Sequence, residues 1–202
     1  MTCDNGPNVL SGRISDPSSL SREALARHFL ALPPEDHRLR FGRLMAPAAI
    51  REYVAGLDFD RDAVFGVFDD ELDLVGAAHV APLEDGAELG VSVLPGHRGR
   101  GVGSALFGRA HAYARNQLLR QLFMHCLAEN KAMMHIARKA GMTIVTEAGE
   151  AAASLALAPT DAATIAGEVL QERIALFDVA VKAQALATRR LAASLRGEDA
   201  PS

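Results

Sequence analysis

Hydrophobic and polar positions alternate with different periods along the chain, and the changes of period divide it into elements. Residues 8–14 form a short first strand. A helix follows over residues 21–31, with Ser21 as its N-cap and Glu23 in its first turn. Pro33 and Pro34 stop that helix, and Pro47 suits the first turn of a second one ending near Gly56. From Ala63 the pattern shortens. The stretch AVFGVFDDELDLVGAAHVAPLEDGAELGVSVL holds three apolar runs separated by DDE and LEDG, which predicts an antiparallel meander. In the third run Leu89, Val91 and Val93 point to one face and Glu88, Gly90 and Ser92 to the other.

Next comes PGHRGRGVGSAL, residues 95–106, and then helical spacing, with Val102, Leu106, Ala110 and Tyr113 on one face. QLFMHCLA reads as a strand, NKAMMHIARKAG as a short helix closed by Gly141, and TIVTEAGEAAASLAL as a last hairpin before Pro159. Residues 161–196 form one long helix. Leu170, Ile174, Phe177, Val181, Leu191 and Leu195 make one apolar stripe, and Ile165, Val169, Leu176, Val179 and Leu186 a second. So wide a face must be buried, on the chain's own domain or in a homodimer. The expected organisation is an α+β domain over residues 1–158, a three-layer arrangement, and a helical extension over residues 159–202.

At 202 residues, 49% of them hydrophobic, the chain fits one domain with a sizeable core. A formal net charge of -4 argues against a general grip on nucleic acid. Cys3 and Cys126 are too few for a disulfide framework and suit a reducing, cytoplasmic compartment. The sequence opens without a basic or apolar leader and holds no run of about 18 apolar residues, so no membrane is expected. His97, His111, His125, Cys126 and His135 are spaced so that no three share a surface, and no metal is expected.

The glycine-rich junction carries the clearest chemistry. The start of a helix leaves backbone N–H groups unpaired and carries partial positive charge. Gly99, Gly101 and Gly103 clear β-carbons away from those amides, and Arg98 and Arg100 add positive charge, as a diphosphate site requires. A Walker loop is excluded because no lysine follows until Lys131. A dinucleotide-binding fold would place its loop after the first strand of a parallel sheet, whereas this loop follows a meander in mid-chain.

The segment resembles the GNAT superfamily of acetyltransferases. Arg98, Gly101 and Gly103 match the family's Gln/Arg-x-x-Gly-x-Gly/Ala motif, and ENKAMMHIARKAGM is similar to its next motif, with Asn130 and Gly141 at matching places. The likeness is clear over residues 63–146, and HFLALPPEDHRLRFG is more loosely similar to bacterial protein-lysine acetyltransferase domains. The resemblance implies a mixed, mostly antiparallel sheet flanked by helices, and acetyl-CoA as cosubstrate. Its pantetheine would lie between splayed fourth and fifth strands, at Val91, Val93 and Leu94. Its pyrophosphate would lie on Arg98, Gly99, Arg100, Gly101, Val102, Gly103 and Ser104, with Asn130 touching the arm.

The expected reaction is acetyl transfer to a primary amine, on a protein lysine or a small molecule. Residues 97–139 hold eight Arg or Lys against Glu129 alone, while residues 52–90 hold eleven acids against Arg61, which suits an anionic donor and a cationic acceptor. Glu88 is the candidate general base, with space left by Gly90, and His79 is the second candidate. Many family members carry a tyrosine that protonates the departing thiolate, but this chain has Ala137 there. Tyr53 and Tyr113 do not substitute by sequence position. With a reference pKa near 8.5, the thiolate can leave largely unprotonated. The acceptor is expected to meet residues 20–60, where Glu52, Tyr53, Asp58 and Asp60, with Asp62 just beyond, could face a cation. The competing reading is a non-catalytic CoA-binding module whose long helix signals to a partner.

Overall fold

The computed structural model describes residues 11–14, 19–160 and 162–195. Among the described residues seven strands form one sheet in the order β1-β2-β3-β4-β5-β7-β6. β2 (Ala63–Phe68), β3 (Leu74–Leu83) and β4 (Gly86–Val93) form the antiparallel meander that alternation and turn residues predict, and β1 (Gly12–Arg13) adds antiparallel to β2. β5 (Gln121–Leu127) joins β4 in parallel, and β6 (Thr143–Glu147) and β7 (Glu150–Ala156) continue antiparallel.

Strand alternation supplies two cores. On one face Phe65, Leu89 and Leu122 meet Leu106 and Ala110 of α4 (Val102–Asn116). On the other, Val64 and Leu74 meet Leu25 and Phe29 of α1 (Ser19–Leu30) and Ile50 and Val54 of α3 (Pro47–Ala55). The start of α4 reaches the sheet because β3 has no side chain at Gly76. A β-carbon there would stand 2.7 Å from Val102.

The front of the chain departs from the sequence expectation. α1 begins at Ser19, so Ser21 lies inside the helix and is not its cap. The described part of the predicted first strand is Gly12–Arg13, and its residues 8–10 lie outside the described residues. Pro33 and Pro34 end α1 but also open a further helix, α2 (Pro34–Phe41), with Pro34 in its first turn. A proline cannot continue a helix, yet its fixed φ and missing N–H make it a good first residue.

α5 (Lys131–Lys139) is capped by Asn130, whose side-chain oxygen accepts from the Met133 amide at 3.1 Å, and Gly141 beyond it takes a left-handed φ of 72°. α6 (Ala162–Leu195) is the predicted long helix, but its burial is a correction to the sequence reading. Leu170, Phe177, Leu191 and Leu195 are 60–81% exposed, and Ile165, Val169 and Leu176 are exposed too. The helix docks instead through Ala175 and its charges. Glu168 and Glu172 pair with the buried Arg109 of α4, and Lys182 donates to the Phe68 carbonyl at 2.9 Å. No described helix is long and apolar enough to cross a membrane.

Candidate active site

The sheet's one parallel pair among the described residues is also where it opens. β4 and β5 are paired only from Gly86 to Glu88, facing Gln121 to Phe123. Beyond Glu88, β4 stays with β3 as far as Val93 and β5 stays with β7 as far as Leu127, so the two strands part. The backbone of β4 from Leu89 to Val93 is therefore bonded on its β3 side and unpaired by β5. A short 3-10 turn, Pro95–His97, carries the chain from this opening to α4.

A cleft of about 410 Å³ follows the opened side of β4 to the start of α4. Val91, Val93, Arg98, Gly99, Gly101, Val102, Gly103, Ser104 and Asn130 all line it. Of the residues expected to hold the cofactor, Leu94 and Arg100 do not. Leu94 packs into the cores and Arg100 points to solvent. Gly99 and Gly101 take left-handed φ of 72° and 82°, which side chains disfavour, and no side chain caps α4 at Gly101. Gly103 serves packing: a β-carbon would meet Ile136 of α5 at 3.1 Å. The resulting bare helix start with β-carbons removed fits a phosphate group.

Arg98 is less mobile than its loop position implies. Its Nε donates to the Val93 carbonyl at 2.9 Å, and its guanidinium pairs with Asp36 of α2. At the other edge of the opening Arg38 pairs with Glu129 at 2.7 Å, and the Asn130 amide donates to the Leu39 carbonyl at 3.4 Å. α2 thus spans the mouth and is tied to both sides.

A smaller cavity of about 240 Å³ adjoins the cleft, with Glu88, Gly90, His79, Tyr53, His125 and Arg40 in its wall. Glu88 is about half exposed, 3.3 Å from His125 Nδ1. His79 is largely buried, its Nε2 3.1 Å from Asp62 and its Nδ1 2.9 Å from the Tyr53 hydroxyl. Burial lowers the pKa of His79, against the opposing hydrogen bond to the Asp62 carboxylate, so the ring is neutral near pH 7. With Nε2–H donating to the Asp62 carboxylate, Nδ1 must accept from Tyr53. The tyrosine proton is thereby spent on His79, and its oxygen lone pairs remain to face the cavity. Tyr53 lines this cavity, in the region where the sequence expects the acceptor. Arg40, which the sequence reading passed over, also belongs to this wall. Among the described residues no group of three His, Cys, Asp or Glu side chains could hold a metal ion.

A mixed sheet that parts at its parallel pair, beside a glycine-rich helix start, defines a CoA-dependent acyltransferase class. The chain belongs to the acetyltransferase (GNAT) family, whose model matches residues 26–142. It is similar in structure to the GNAT domain of S. lividans PAT (21% identity, TM-score 0.61), over 73% of this chain and 89% of that one. It is also similar to ribosomal-protein-alanine N-acetyltransferase from Brucella melitensis (18%, 0.58), over 74% of this chain and 100% of that one. A third similar structure is YncA from Salmonella typhimurium, solved with its cofactor acetyl-CoA (15%, 0.57), over 77% of this chain and 98% of that one. At these identities the likeness is one of fold. A comparison with curated protein sequences returns no match.

Proposed function

We propose that the protein transfers an acetyl group from acetyl-CoA to a primary amine by direct attack on the thioester. The observation that carries this reading is the opened edge of β4 leading, through one cleft, to the bare start of α4. The unpaired backbone of Leu89 to Val93 offers strand-like hydrogen bonds to the pantetheine amides. The first-turn amides of α4 and the left-handed glycines take the pyrophosphate.

Glu88 accepts the proton that the amine must lose, directly or through one water. The amine nitrogen then bonds to the carbonyl carbon, and the carbon–sulfur bond breaks with its electron pair on sulfur. Tyr53 orients the nitrogen as a hydrogen-bond acceptor, because Asp62 and His79 fix where its own proton points. Water can protonate the thiolate, so the alanine at position 137 does not block turnover.

The test is calorimetric titration with acetyl-CoA, followed in the same sample by a thiol-release assay against pooled amines and lysine peptides. Binding with thiol release is expected. Binding without release across the panel supports the non-catalytic CoA-binding module, and no binding overturns both readings.

A second copy of this chain is the proposed partner of α6. The charges of the helix at Glu168, Glu172 and Lys182 turn to its own domain, leaving the large apolar side chains outward. One two-fold axis would cover that face on both copies at once.

A further inference from the structure

We infer that the acceptor carries a carboxylate beside its amine, as a free α-amino acid does, and that Arg40 on the cavity wall is the residue that binds it. The inference rests on the acetyltransferase reading above and narrows its substrate. Arg40 sits at the end of α2, and its guanidinium lies on β4 over Gly90. A β-carbon on that glycine would stand 2.3 Å from the guanidinium carbon. The side chain forms part of the small cavity, of the cofactor cleft and of a third cavity beside β7. It therefore stands where donor and acceptor must meet.

Its charge is unmatched. No carboxylate among the described residues pairs with Arg40, and its Nε is buried without a hydrogen-bond partner. The acids around it are engaged elsewhere: Asp36 with Arg98, Asp62 with His79, Glu88 with His125. The Phe41 ring lies 5.0 Å from its guanidinium carbon. A guanidinium cannot shed its proton, and its planar fork matches a carboxylate with two parallel hydrogen bonds.

The neighbouring groups fix which way such a ligand lies. Glu88 and Gly90 are two residues apart on one face of β4, so the base and the guanidinium over Gly90 are separated along the strand by about 7 Å. An α-amino acid spans that gap with its nitrogen toward Glu88 and its carboxylate on Arg40. A lysine side chain of a protein brings a second cation and no counter-charge.

The experiment compares kcat/KM for free amino acids and for their carboxamides in matched pairs, with a lysine peptide alongside and acetyl-CoA as donor. A preference for the free acids of about a hundredfold or more is expected, since a site built to pair a charged group rejects the analogue that lacks it. Arg40→Met should collapse the ratio to within a few-fold. Gly90→Ala should do the same while keeping the guanidinium, because the new methyl group displaces it from β4. Equal rates for acids and amides overturn the inference and leave the transferase standing. Loss of CoA affinity in Arg40→Met with an unchanged acid-to-amide ratio also overturns it, making Arg40 a cofactor contact. A preference for succinyl-CoA over acetyl-CoA that vanishes in Arg40→Met, without discrimination among acceptors, assigns the carboxylate to the donor and overturns it likewise. If no amine releases CoA, the proposed reaction itself falls.

Discussion

The Tyr53 hydroxyl lies 2.9 Å from Nδ1 of His79, joining α3 to β3 at the wall of the smaller cavity beside Glu88. Asp62 on the far side of the imidazole makes the three groups one chain with a single proton arrangement. Tyr53→Phe should therefore raise KM for the amine and lower kcat/KM about tenfold, the worth of roughly one hydrogen bond. Asp62→Ala should have a similar effect without touching the cavity, because it frees the tautomer of His79. Steady-state kinetics on both variants check this, and a wild-type rate in Tyr53→Phe would contradict it.

Glu88→Gln removes the proposed base while keeping its size. The expected result is a fall in kcat of about 10²–10⁴-fold with acetyl-CoA binding retained. Thiol release and calorimetry on the same preparation separate the two effects. A variant that turns over at the wild-type rate removes Glu88 from the mechanism.

Gly101→Asp places a side chain where φ is 82° and a negative charge at the start of α4. It should abolish acetyl-CoA binding, by strain and by repulsion of the phosphates. Gly103→Asp should also do so, by bringing a negative charge to the same helix start and crowding Ile136, which a β-carbon would approach to 3.1 Å. Calorimetry beside thermal melts tests both. Unchanged affinity in a folded variant would rule out the loop as the phosphate site.

His28 predicts how stability depends on pH. It is 2% exposed, and its Nδ1 and Nε2 each lie 2.8 Å from a partner, the Leu74 carbonyl and the Ser92 hydroxyl. Burial lowers its pKa to about 4, with the Leu74 bond opposing and the charge of Arg40 assisting. The unfolded chain binds this proton near pH 6.5 and the folded chain does not until about pH 4. The stability associated with neutral His28 is thus complete above 6.5. It declines as pH falls from there to about 4, by about 3 kcal/mol in all. Denaturant titrations across that window should have a shallower slope in His28→Gln, and an unchanged slope would refute the assignment.

The outward face of α6 should make the protein dimeric. Leu170→Glu combined with Phe177→Glu changes two side chains that are 60% and 72% exposed, so the fold of one chain is spared. Sedimentation velocity should give the mass of two chains for the wild type and of one for the double variant. A wild type that sediments as a monomer at tens of micromolar overturns the pairing.

Local signals in the sequence located most of the frame. The meander, the loop and the hairpin each follow from alternation or turn residues within about ten positions. What escaped was either ambiguous or distant. Pro33–Pro34 reads equally as an end and as a beginning, so α2 was missed together with Arg40 near its end. Tyr53 and His79 are 26 residues apart and meet only because α3 packs across the sheet from α4. Gly90 reads in the sequence as space left for an acceptor, but the guanidinium of Arg40, from a helix 50 residues earlier, lies over it. For α6, amphipathic spacing established that a face is apolar but not that its own domain would leave it bare.

α2 has one more consequence. Asp36, Arg38 and Leu39, which join it to Arg98 on one bank and to Glu129 and Asn130 on the other, fall within a single helical turn, about 5 Å of its length. That one turn clasps both banks as a staple does, so the width of the opening is tied to the integrity of the turn and not to the length of the helix.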